Sequence, residues 1–82
     1  MESPLSQIRK TFGLKKEDLA LLLDISLPTL NRIEAGVARV PDKCFRGLRE
    51  LKQDSEKVAE DQVLFIEEKR KHILKSLKLG KD

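Results

Sequence analysis

The chain has 82 residues, 39% of them apolar and 38% charged, and a formal net charge of +3. That inventory fits one small core and excludes a large enzyme cleft with its own supporting layers. No run approaches the roughly 18 apolar residues of a membrane span, and the opening MESPLSQIRK lacks an apolar signal-peptide core, so a cytoplasmic protein with no membrane contact is expected.

Alternating apolar–polar stretches are short and β-branched residues are few, so every predicted element is a helix. Ser3 followed by Pro4 is a helix start: a hydroxyl acceptor at the cap, then a proline where a missing N–H costs nothing. Leu5, Ile8 and Phe12 share one face of this first helix, and Gly13 ends it. A second helix is expected from about Lys16 to Leu23, with Leu19, Leu22 and Leu23 inward and Ala20 offering a close-approach surface. Asp24 and Ile25 make the turn. Ser26 caps a third helix that tolerates Pro28 in its first turn, buries Leu30 and Ile33, and stops at Gly36. Residues 37–40 read as a loop. Pro41 opens a fourth helix with Cys44, Phe45, Leu48 and Leu51 on its apolar face. A fifth starts near Asp54 and extends to Leu77 or Leu79, with no Pro or Gly before Gly80.

The charge is unevenly placed. Residues 1–52 carry ten basic and seven acidic side chains, whereas residues 53–82 carry seven of each. The whole excess therefore lies in the first part, which points to a polyanion partner there. The last helix is polarised instead. Asp54, Glu56, Glu60, Asp61, Glu67 and Glu68 come early, and Lys69, Arg70, Lys71, Lys75, Lys78 and Lys81 come late. Both halves complement the helix dipole.

The stretch GLKKEDLALLLDISLPTLNRIEAG sets two short helices about a tight turn, with Leu19, Leu23, Ile25, Leu30 and Ile33 inside the pair. With Gly13-Leu14, Leu19-Ala20, Ile25-Ser26, Thr29-Leu30, Arg32-Ile33-Glu34 and Gly36, it resembles the Cro/CI-type helix-turn-helix family, the xenobiotic-response-element class. The resemblance covers about residues 5–51. It implies an all-α fold: a compact four- to five-helix bundle of the lambda-repressor-like type, here with a long C-terminal helix. It also implies a recognition helix at about 27–35 that enters the DNA major groove.

On that helix the outward positions are Leu27, Pro28, Thr29, Asn31 and Arg32. Arg32 suits a bidentate contact to guanine or a grip on phosphate, and Thr29 a phosphate or a base. Leu27 and Pro28 stand where family members usually carry polar readers. They fit either contact with thymine methyl groups or loss of base reading. Lys15 and Lys16 oppose the positive end of the second helix's dipole, which suggests docking onto phosphate; Glu17 and Asp18 supply the bland compensation. By the resemblance, Arg39 and Lys43 are phosphate contacts, and Arg9 and Glu34 form a structural pair between the first and third helices. Asp24 replaces the family's usual glycine; aspartate tolerates the left-handed conformation better than most residues.

Other chemistry is sparse. Cys44 is the only cysteine and His72 the only histidine, short of the four ligands of a structural zinc site. No metal, no cofactor and no catalytic residue is expected. Glu67 and Glu68 are adjacent on a helix and diverge by about 100°, so they cannot share an acid–base site.

The expected division is a helix-turn-helix DNA-binding domain over residues 1–52 and a C-terminal helix over 53–82 that serves core packing and dimerisation or partner binding. Val63, Phe65, Ile66, Ile73 and Leu77 make its apolar row. An antiparallel pair of such helices would set acidic ends beside basic ends. The expectation is a dimeric transcriptional regulator, a repressor, on double-stranded DNA. The alternative is a protein-binding adaptor or antitoxin-like module that uses the C-terminal helix and an outward Leu21 for a second protein partner.

Overall fold

A computed structural model describes residues 2–77, all helix and connecting turn. Helix α1 spans Pro4–Phe12, α2 Lys16–Leu22, α3 Leu27–Glu34, α4 Phe45–Glu50 and α5 Ser55–Ser76; a 3-10 turn, Asp42–Cys44, leads into α4. The expected run to Leu79 and stop at Gly80 lie outside the described residues.

Local chemistry sets the ends of these helices. Ser3 Oγ accepts from the Ser6 N–H at 3.1 Å, Ser26 Oγ from Thr29 at 3.3 Å, and Asp54 Oδ1 from Lys57 at 3.1 Å. Each satisfies one amide that the helix itself leaves unpaired. At the other ends α1 to α3 close alike. After α2 the Ile25 N–H reaches back to the Ala20 carbonyl at 3.0 Å and the Asp24 N–H to Leu21 at 3.2 Å. This double bond pattern needs a left-handed residue at its corner. Gly13 and Gly36 fill that corner in α1 and α3, and Asp24 fills it in α2 with φ 59°. The departure at Asp24 therefore leaves the turn between α2 and α3 intact.

The core is a single cluster: Leu5, Ile8, Leu19, Ala20, Leu23, Ile25, Leu30, Ile33, Val40, Cys44, Leu48 and Val58. Three sequence expectations need correction. Phe12 and Leu22 are exposed, not inward: Phe12 sits in the last turn of α1, on the rim of the groove beside the start of α5. Leu22 lies in the last turn of α2, on the rim of a groove beside α4. The fourth helix does not open at Pro41. The Cys44 N–H bonds the Pro41 carbonyl at 3.0 Å, a tighter 3-10 turn, and α-geometry begins only at Phe45.

Helix α5 changes character along its length. Ser55, Val58, Gln62 and Phe65 are buried at spacings of three and four, which puts one stripe on the bundle. From Glu67 to Leu77 every residue is exposed. The molecule measures 43 × 22 × 21 Å, so the distal part of this roughly 33 Å helix runs past the bundle.

Candidate nucleic-acid interface

The interface is built on how α3 is held. Leu30 and Ile33 bury its inner face completely. From α1, Arg9 Nε donates to Glu34 Oε2 at 3.0 Å and Arg9 Nη2 to Oε1 at 3.2 Å. This two-pronged bond raises the Arg9 pKa further above its ordinary value. The side chains of Arg9 and Glu34 are 20% and 8% exposed; in that half-dry setting the pair fixes the trailing end of α3 against α1. From α5, Gln62 Nε2 donates to the Ile33 carbonyl at 2.8 Å and to the Ala38 carbonyl at 2.9 Å. Phe65 packs over Gly36, where a methyl group would lie 2.8 Å from the ring. The helix is thus clamped from two sides at its C-terminal end.

The opposite face of α3 is open. Pro28, Asn31 and Arg32 are exposed. Thr29 is half-buried, and its hydroxyl lies 2.9 Å from Ser26 Oγ within the cap. Leu27 departs from the outward placement: it is half-buried and packs on the core cluster, because the first residue of the helix leans back toward the turn. Beside this face stands the start of α2. Lys15 occupies its cap position without any side-chain cap bond, and Lys16 Nζ donates to Asn31 Oδ1 at 3.1 Å.

The electrostatics separate two sets of cations. Arg9, Lys10, Arg46 and Lys57 are ion-paired, to Glu34, Glu2, Glu50 and Asp61. Among the described residues Lys15, Lys16, Arg32, Arg39 and Lys43 are exposed and make no ion pair, and the same holds for Arg49, Lys52, Lys69, Arg70, Lys71 and Lys75. Exposed, uncompensated cations are the groups that release counterions from a phosphate backbone. They do not form one cluster. Lys16 meets α3 directly, whereas Lys43 lines a groove with Leu21, Leu22 and Asp24 at the far end of α2.

The expected association row divides. Phe65 is 8% exposed and spent inside its own chain on Gly36, so it does not belong to an outer row. Val63 and Ile66 are half-buried, and Ile73 and Leu77 are exposed. Leu64 and Leu74 are exposed too, and the expected row did not include them.

Sequence reasoning also missed Gln62 and Gly47. Gln62 is the one long polar side chain in the buried 55–58–62–65 stripe, and that position was the available signal. Gly47 sits in mid-helix, where glycine costs about 1 kcal/mol against alanine and so implies a packing reason. A methyl group there would stand 2.2 Å from the Leu22 carbonyl oxygen; α4 therefore crosses the end of α2 at backbone contact. Cys44 is fully buried, and burial pushes its thiol up to about 11. No His, Cys, Asp and Glu group suited to a metal occurs among the described residues.

Two short helices at a tight turn, the second anchored on its inner face and open on its outer one, define a helix-turn-helix protein. A helix-turn-helix family model matches residues 5–43, from α1 through the 3-10 turn. That segment, a little under half of the chain, is similar to the helix-turn-helix family, which supports a DNA-binding helix-turn-helix regulator. No curated protein and no solved structure matches the chain. No helix among the described residues is long and apolar enough to cross a membrane.

Proposed function

We propose that the chain is a sequence-specific repressor without enzymatic activity, which acts in the cytoplasm and binds double-stranded DNA as a homodimer. The observation that carries this reading is the presentation of α3: clamped by Arg9, Gln62 and Phe65 at its trailing end, with Asn31 and Arg32 exposed. Arg32 reads a base edge. Pro28 and the remaining surface of Leu27 meet thymine methyl groups, and Thr29 supports a phosphate. Lys15, Lys16, Arg39 and Lys43 neutralise backbone phosphates through their side chains; these phosphate contacts fix register and by themselves carry no sequence information. On this reading residues 1–52 are the DNA-binding unit, and the distal part of the 53–82 segment joins two copies.

The dimer contact is assigned to Val63, Ile66, Ile73 and Leu77. At 100° per residue they fall within a sector of about 80° on α5. Ile73 and Leu77 are 48% and 59% exposed, an apolar surface that a second copy would cover. Charge favours an antiparallel pair, since Glu67 and Glu68 of one helix then approach Lys69, Arg70 and Lys71 of the other.

The adaptor reading rests on one observation, the exposed Leu21 (80%) beside exposed Leu22. A titration of randomised duplexes with selection, run at several salt concentrations, separates the two. The repressor enriches a palindrome, and each lysine or arginine removed from the phosphate set reduces the salt slope by about one. The adaptor enriches none. Light scattering on the full chain and on a chain cut after Lys71, which keeps Phe65 on Gly36, should give a dimer and a folded monomer. A full chain that is monomeric at micromolar concentration refutes the homodimer.

A further inference from the structure

One polar side chain on the open face of α3 is already engaged. Lys16 Nζ, from the start of α2, donates to Asn31 Oδ1 at 3.1 Å, and both residues are exposed. An asparagine amide has an acceptor end and a donor end. Its usual adenine contact needs both: the oxygen accepts from N6 and the nitrogen donates to N7. Here the oxygen faces an ammonium group. Turning the amide over would set its NH2 against the lysine N–H groups, donor against donor, so the lysine determines which way the amide lies. The ammonium takes one of the two Oδ1 lone pairs, and a base N–H that approached the other would stand beside that positive charge, so what the pair offers outward is dominated by donors: the asparagine Nδ2 hydrogens and the remaining hydrogens on Lys16 Nζ.

We propose that Lys16 is a positioning residue for base specificity: it converts Asn31 into a donor-dominated reader that selects guanine and rejects adenine at the base it meets. Guanine shows two neighbouring acceptors in the major groove, O6 and N7, whereas adenine sets an N6 donor beside its N7. A donor-dominated pair matches the first and collides with the second. The inference rests on α3 entering the major groove, as proposed above. It is separable from the phosphate role of Lys16, because a phosphate contact changes affinity on all sequences alike and leaves base preference unmoved.

The test is selection from randomised duplexes with the full chain, followed by the same selection with Asn31→Ala, Lys16→Met and Lys16→Arg. Both positions are exposed, and thermal melts confirm that the variants remain folded. The parent should enrich guanine at one position of each half-site, and Asn31→Ala should flatten that position alone. Lys16→Met frees the amide oxygen, so the guanine-over-adenine preference there should fall at least about tenfold. Lys16→Arg keeps a donor toward the oxygen and should retain guanine. Adenine at that position in the parent, an unchanged preference in Lys16→Met, or no position that responds to Asn31→Ala overturns the proposal. A parent that enriches no sequence at all refutes the reading of α3 itself, a result distinguished by flat preferences at every position.

Discussion

Replacing Gln62 tests whether α5 holds the recognition helix by hydrogen bonds or by packing alone. Its amide is fully buried, and Nε2 donates to the Ile33 carbonyl at 2.8 Å and the Ala38 carbonyl at 2.9 Å. Its Oε1 is buried with no partner among the described residues. Gln62→Met keeps the length of the side chain and deletes both ends of the amide. Two hydrogen bonds at about 0.5–1.5 kcal/mol each are lost. The Ile33 carbonyl keeps the Gly36 N–H at 3.0 Å, and the Ala38 carbonyl loses its donor. Against this, removal of the unpartnered oxygen returns about 1–2 kcal/mol. The net loss should be about 1 kcal/mol. Gln62→Glu instead places a buried carboxylate against two carbonyl oxygens and should lose several kcal/mol, enough to unfold a small domain at neutral pH. Its sign with pH is fixed. The new carboxyl has a folded pKa raised above its unfolded value, so the penalty is absent below the unfolded pKa of about 4, where the protonated acid can donate to one carbonyl, and grows as pH rises toward the folded pKa. Urea unfolding between pH 4 and 7 measures both effects. Equal losses for the two variants at pH 7, or a Gln62→Glu loss flat in pH, would refute the donor role.

Three further outcomes are expected. Arg32→Ala should weaken specific DNA binding by about 1–3 kcal/mol with an unchanged melting temperature, since the side chain is exposed; unaltered affinity on the selected sequence would move the reading face elsewhere. Gly47→Ala should destabilise by about 1–3 kcal/mol or more, because its methyl would meet backbone at 2.2 Å; denaturant unfolding at parental stability would contradict that crossing. Burial raises the Cys44 thiol from 9.0 to about 11, so the unfolded chain releases its proton first. The corresponding stability is present below about pH 9 and is lost as pH rises toward 11. Cys44→Ala should remove that part of the alkaline decline, and a decline unchanged in the variant would place its cause elsewhere.

The helices and their caps were legible because each rests on a local rule. Ser3-Pro4, Ser26, Gly13 and Gly36 announce ends that depend on only a few neighbouring residues, and all four appear at the ends of helices. The core stripe of α2 and α3 followed from spacing alone. What failed was decided by tertiary contact. Phe12 and Leu22 satisfy helical periodicity, but each occupies a last turn on the rim of a groove. Phe65 fitted the apolar row of α5, yet the absence of a side chain at Gly36, almost thirty residues earlier, gives it a seat inside the bundle. No periodicity in α5 encodes that cavity. The link between Lys16 and Asn31 was equally hidden. Each residue was readable as outward and polar, but their meeting depends on the angle at which α2 crosses α3.

The position of Phe65 bears on operator spacing. Gln62 and Phe65 both rest on the trailing end of α3, at Ile33 and Gly36, and α5 continues without a break to Ser76. On the dimeric reading, the contact that joins two copies and the helix that reads DNA are therefore one rigid piece, not two modules on a flexible tether. A tether would accept half-sites at several separations. A rigid connection accepts one, because each inserted base pair turns the second half-site by about 34° around the duplex axis, at roughly 10.5 base pairs per turn. One added base pair between the selected half-sites should thus reduce binding to that of a single half-site, a loss of about 10²–10⁴ when the second contact is no longer intramolecular. Gel-shift titration of duplexes with zero to five added base pairs measures this. Affinity that declines smoothly across the series would show that the distal helix acts as a flexible linker and would refute the rigid connection.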